Sequence, residues 1–122
     1  MEAGVRILVI DDEPLVAGVV AEALRSEDNE VAVACSGEEG LRAVEQNPPD
    51  AVFLDMVMPG MDGIEVLREI RLRHPDLPVI ILSGWAAERQ VELARALGVT
   101  DVLQKPVPLR NLTEALTRSQ QP

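Results

Sequence analysis

Short apolar runs alternate along the chain with stretches in which apolar residues return every three or four positions. The runs lie at residues 5–10 (broken only by Arg6), 31–34, 51–54, 79–82 and, as a bare pair, 102–103. Such runs, bounded by polar or turn residues, predict strands buried on both faces, as in a parallel sheet. After the first run, Pro14 suits an opening helical turn. Leu15, Val16, Val19, Val20, Ala23 and Leu24 then stripe a helix to about Ser26. Ser36 is placed to cap a second helix, with Glu38 and Glu39 in its first turn, Leu41 and Val44 inward, and Asn47-Pro48-Pro49 as its stop. Ile64, Leu67 and Ile70 predict a third helix ending near His74-Pro75. A fourth runs from about 86 to 97 and closes at Gly98, and Leu109, Leu112 and Leu116 stripe a fifth. Strand and helix thus alternate five times. The expected fold is α/β, a five-stranded parallel sheet with helices on both faces, and residues 1–122 form one domain.

Composition narrows the partners more than the fold. With one Phe and one Trp (Phe53 and Trp85) and no Tyr, the core must be built from Val, Leu, Ile, Ala and Met. A net charge of −10 with no basic stripe argues against direct nucleic-acid binding and against an anionic membrane surface. Cys35 is the single cysteine, so an intrachain disulfide is excluded, and its place at the end of an apolar run predicts a small buried thiol. His74, the single histidine, is expected at a solvated helix end. No leader-like or membrane-length segment is visible, and the expected location is cytoplasmic.

The chemistry lies at the ends of the strands. In a parallel sheet the C-terminal ends share one edge, and ligands bind there. The first run ends on Asp11 and Asp12, the third on Asp55, the fourth on Ser83 and the fifth on Lys105, whereas the second ends on nothing reactive and is expected at a sheet edge. Asp55 opens the segment 55–63, DMVMPGMDG, in which Pro59-Gly60 and Asp62-Gly63 are turn chemistry. Taken singly, Asp55 is as readily a cap as a site residue. Asp11-Asp12-Glu13 read as helix-capping acids, Ser83 as a cap and Lys105 as a surface charge. Their coincidence at four of the five strand ends favours a site. Carboxylates so close need a cation or a shared proton, and oxygen ligands without nearby His or Cys suit Mg²⁺ or Mn²⁺. Carboxylates, a divalent metal, an amine and a hydroxyl are the set that phosphoryl transfer uses. The absence of a GxxxxGKS loop means that no bound nucleotide is implied.

These motifs, taken in order, resemble the receiver domain of two-component response regulators, of which the single-domain chemotaxis type is the simplest. The resemblance rests on the acid pair in VIDDE, on LDMVMPGMDG, on PVIILSG and on Lys105-Pro106, and it covers essentially the whole chain. It implies a flavodoxin-like fold with strand order 2-1-3-4-5. It also implies a signalling domain, not an enzyme, that promotes its own phosphotransfer and dephosphorylation. Asp55 would accept a phosphoryl group from a sensor histidine kinase or phosphotransfer protein. Mg²⁺ would be held by Asp12, Asp55 and the Val57 backbone carbonyl, with Asp11 acting largely through water. Ser83 and Lys105 would engage the phosphoryl oxygens, and the Lys105-Pro106 bond would be cis. The implied partners downstream are an effector protein or an output domain beyond this sequence, and a phosphorylation-dependent homodimer.

One departure concerns the switch. The family commonly carries Tyr or Phe three residues before the lysine, where this chain has Val102. Signalling through an aromatic swing is therefore in doubt, and loop and helix shifts must carry the output. Trp85, two residues after Ser83, is assigned a gating role over water or phosphodonor access. Two alternatives stand beside the receiver. A Mg²⁺-dependent phosphohydrolase passing through an aspartyl-phosphate would want Asp-x-Asp after the first strand and a cap domain. A degenerate receiver would bind partners without phosphorylation.

Overall fold

The structure is a computed structural model in which residues 4–84 and 88–121 are described. Trp85, and with it the expected gating role, lies outside the described residues. Strands β1 (Arg6–Ile10), β2 (Glu30–Ala34), β3 (Ala51–Asp55), β4 (Val79–Ser83) and β5 (Asp101–Gln104) alternate with helices α1 (Pro14–Arg25), α2 (Gly37–Gln46), α3 (Gly63–Arg73), α4 (Glu88–Ala96) and α5 (Leu109–Ser119). All four strand pairings are parallel, in the order β2-β1-β3-β4-β5. The expected α/β fold and its strand order are both present.

Neighbouring residues of each strand feed two different cores. Leu8, Ile10, Val52, Leu54, Val79 and Ile81 face α2, α3 and α4, where they meet Val44, Val66, Leu67, Ile70 and Ala94. Ile7, Val9, Ala51, Phe53, Ile80 and Leu82 face the opposite way, against Ala17, Val20, Ala21 and Leu24 of α1 and Leu112, Ala115 and Leu116 of α5. β3 and β4 are buried along their whole length, which is why their sequences read as continuous apolar runs. Phe53, fully buried, fills the α1–α5 side.

Helix ends follow the sequence signals. Ser36 accepts from the Glu39 amide, and Asp62 with Glu65 forms a reciprocal capping box at α3. α4 closes in a Schellman turn: the Gly98 and Val99 amides donate to the carbonyls of Arg95 and Ala94, and Gly98 takes φ 80°. Two expectations need correction. Cys35 is exposed: β2 is an edge strand, and Cys35 lies one residue past its last paired position, Ala34. His74 is no solvated end: it terminates α3 half-buried, and its Nε2 lies 2.6 Å from Glu45 Oε2 of α2. That bond holds the Glu45 carboxyl below its ordinary pKa. Among the described residues no helix is long and apolar enough to cross a membrane.

Candidate functional site

The parallel register brings the ends of β1, β3, β4 and β5 to one edge. Ile10 pairs with Leu54, Asp55 with Leu82, and Ser83 with Gln104, so Asp11 and Asp55 leave the neighbouring strands β1 and β3, and Lys105 leaves β5 at the same edge, one strand further on beyond β4. Asp11 is wholly buried and Asp55 nearly so, while Asp12 is half-exposed. Oxygens of the three carboxylates lie within 4.8 Å of one another. Lys105 straddles two of them, its Nζ donating to Asp11 Oδ2 at 3.0 Å and to Asp55 Oδ1 at 3.2 Å. The second oxygen of Asp11 accepts from the Glu13 amide at 3.0 Å, so Asp11 also steadies the entry to α1.

Three carboxylates face one ammonium, and their protonation reflects it. Burial, and then the charge of Asp11, raises the Asp55 carboxyl to about 6, against the opposing pull of Lys105 and a backbone hydrogen bond from Val57. Burial works to lower the Lys105 ammonium, but its bonds to Asp11 and Asp55 outweigh that and leave it above the ordinary lysine value. The surplus of buried negative charge fits a divalent cation held by oxygen, with no His or Cys in the cluster to suit a softer metal.

The backbone around the cluster is tightly set. The Lys105-Pro106 bond is cis, and the Lys105 amide donates to the Ser83 carbonyl at 2.7 Å, tying the β5 exit to β4. In the segment after Asp55, Gly60 takes φ 77°, the left-handed turn shape expected of it. Gly63 differs from expectation: its conformation is ordinary, and glycine is required by close approach. Its amide donates to the Met56 carbonyl at 3.0 Å, and an added Cβ would lie 2.8 Å from both the Asp55 carbonyl oxygen and Met56 Cα. Backbone cannot yield as a side-chain tip does. Gly63→Ala is therefore expected to lower stability by roughly 1–3 kcal/mol and to displace the segment beside Asp55; an unfolding midpoint equal to wild type would contradict this.

Of the residues singled out in the sequence, Asp11, Asp12, Asp55 and Lys105 are brought together. Ser83 sits buried at the same edge, but its hydroxyl donates to the adjacent Gly84 carbonyl at 3.2 Å and not to the cluster. Val57 presents its backbone to Asp55 and its side chain to solvent. Val102 is half-buried against the α2–α4 core. Sequence reasoning missed the role of Asp11 as partner to both Lys105 and the Glu13 amide. The acid pair signalled its presence but could not say which acid turns inward.

A family model described as the response regulator receiver domain matches residues 7–117. Among curated proteins, the transcriptional regulatory protein PrrA of Mycobacterium tuberculosis is 37% identical over 115 residues, covering 92% of this chain and 49% of its own length. The chain thus spans about half the length of the curated relatives it matches. Among solved structures, a response regulator receiver domain protein from Clostridium thermocellum superposes with TM-score 0.90 at 38% identity, covering 93% of this chain and 92% of its own. The receiver domain of NtrX from Brucella abortus gives TM-score 0.88 at 34% identity, over 93% of this chain and 96% of its own. The chemotaxis protein CheY4 of Vibrio cholerae gives 0.89 at 26% identity, over 96% of this chain and 99% of its own.

Proposed function

Because this chain belongs to the response regulator receiver domain family of two-component systems, we propose that its Asp55 accepts a phosphoryl group from a phosphohistidine on a sensor kinase or phosphotransfer protein. One observation supports this reading above the rest. Lys105 bridges Asp11 and Asp55 at the strand-end edge, beside a third carboxylate within reach of a shared cation.

An oxygen of Asp55 attacks phosphorus in line; the P–N bond breaks, and its electron pair returns to the imidazole nitrogen, which takes a proton from solvent. Burial keeps water from competing for the anionic oxygen. Asp11 holds the Lys105 ammonium beside Asp55, where it can pair with a phosphoryl oxygen once transfer has occurred. Asp12, Asp55 and the Val57 carbonyl would hold Mg²⁺ or Mn²⁺, with Asp11 acting through water, and the ion would neutralise charge on the phosphoryl oxygens. Ser83, whose hydroxyl donates to its neighbour's carbonyl, would exchange that bond for a phosphoryl oxygen and draw its loop inward. With Val102 half-buried in place of an aromatic residue, the signal passes through the loop and helix shifts that follow.

The output is an effector protein or a domain beyond this sequence, in keeping with relatives about twice as long that are named as transcriptional regulators; dimerisation of the phosphorylated form belongs to the same proposal. Incubation with labelled acetyl phosphate and Mg²⁺ is the test. Stoichiometric label, absent in Asp55→Asn, is expected. Turnover of many equivalents would instead identify a phosphohydrolase, and no label a binding module.

A further inference from the structure

Among the described residues, helix α4 is the most thinly anchored of the five helices. Its sequence, ERQVELARA, is mostly polar, and Ala94 is its one fully buried residue, whereas α1 buries four residues and α3 five. Val91 and Leu97 add only partial contact with the core. A helix so weakly packed needs another hold, and the structure provides one at its C-terminal end.

The Schellman turn satisfies the carbonyls of Ala94 and Arg95 but leaves those of Leu97 and Gly98 pointing out of the helix end. Arg71, from the last turn of α3, takes both: Nε donates to the Leu97 carbonyl at 3.1 Å and an Nη to the Gly98 carbonyl at 2.9 Å. The other Nη donates to the carbonyls of Leu77 at 2.7 Å and His74 at 3.3 Å, where α3 itself ends. One half-buried guanidinium therefore joins the negative ends of two helix dipoles. Its planar fork suits this, since a lysine offers a single point of donors and cannot reach four carbonyls at once. Arg71 takes no part in the carboxylate cluster, and nothing in the proposed phosphotransfer uses it.

We propose that Arg71 is a pivot clasp: it fixes the C-terminal end of α4 to α3, so that movement of the Ser83–Gly84 segment swings the opposite end of α4. The first half of this proposal, the clasp, is independent of phosphorylation. The second half, the direction of the swing, rests on the reading of Asp55 and Ser83 given above.

Hydrogen exchange resolved along the chain tests both, on wild type, Arg71→Ala, Arg71→Lys and the control Arg73→Ala, which removes a neighbouring exposed charge. Without phosphodonor, Arg71→Ala is expected to raise exchange over residues 93–99 roughly tenfold or more, as loss of charge-assisted bonds at a locally opening helix end requires. Amides of β1, β3 and α1 should stay at wild-type rates. Arg71→Lys should fall between, and Arg73→Ala should match wild type. Unchanged exchange at residues 93–99 in Arg71→Ala, or a rise spread evenly over every element, overturns the clasp; if the alanine variant does not fold, wild-type exchange in Arg71→Lys does the same. With beryllofluoride and Mg²⁺, wild type should exchange faster at the N-terminal half of α4 while residues 97–99 remain protected. Acceleration centred on residues 97–99 would overturn the pivot. Failure to label Asp55 would undo the phosphotransfer reading and the swing, while the clasp is still decided by the arm without phosphodonor.

Discussion

Replacing Lys105 by methionine is expected to destabilise the metal-free protein by about 3 kcal/mol at pH 8, and Mg²⁺ is expected to restore most of the loss. Among the described residues, Lys105 is the one cation bonded to Asp11 and Asp55, which are 0% and 7% exposed in their side chains. Methionine keeps the length and the apolar stem but leaves two buried carboxylates facing each other with no counter-charge. Removing one partner from a buried charge cluster costs far more than the cluster contributed, since the remaining charges are stranded. The loss should shrink towards pH 5, where a carboxylate can take up a proton instead. Mg²⁺ at about a hundred times its Kd contributes roughly 2.7 kcal/mol to any protein that binds it only when folded. It should bind the variant more tightly than wild type, because the competing ammonium has gone. Urea midpoints with and without Mg²⁺ measure both effects. Wild-type stability without metal, or a variant indifferent to Mg²⁺, would contradict the proposed role of the cluster.

The layout of this site was legible because the strand ends carry it. A run such as AVFLD states in one line that a strand is buried and that it surfaces on a carboxylate, and parallel topology then collects such ends at one edge. Other features depend on which way a side chain turns, and the sequence is silent there. The fully buried strands show no alternation, so the division of Phe53 from Leu54 between two cores could not be read. Asp11 and Asp12 are chemically identical, yet one is buried against Lys105 and the other half-exposed. Gly63 looked like a turn residue and proves to be a contact residue, a distinction made by the Asp55 and Met56 backbone lying against it. Arg71 gave no signal, for an arginine near a helix end is ordinary until the carbonyls it meets on another helix are known.

The second large effect is a reversed pH dependence. Most carboxylates that matter to folding are paired, have lowered pKa values and lend stability as pH rises. Asp55 is the opposite case, its pKa raised from 3.8 to about 6 by burial and by Asp11. Between those two values the folded chain binds more protons at this position than the unfolded chain does. Its contribution therefore favours folding at low pH, declines as pH rises from about 4 to about 6, and stays flat above. Other acids add slopes of their own, so the quantity to compare is wild type minus Asp55→Asn. In metal-free buffer the asparagine variant should be the more stable above pH 6, and the advantage should shrink as pH falls towards 4. Mg²⁺ reverses the balance, because it binds the ionised carboxylate and must displace the proton. Its apparent affinity should drop by roughly tenfold for each pH unit below 6, and saturating Mg²⁺ should remove the decline in wild type minus Asp55→Asn over that range. The measurement is a set of urea titrations from pH 4.5 to 8, with Mg²⁺ and with a chelator. A difference between wild type and Asp55→Asn that grows in favour of wild type as pH rises, in the absence of metal, would mean that Asp55 is already neutralised by Lys105 and has no unmet need for a cation.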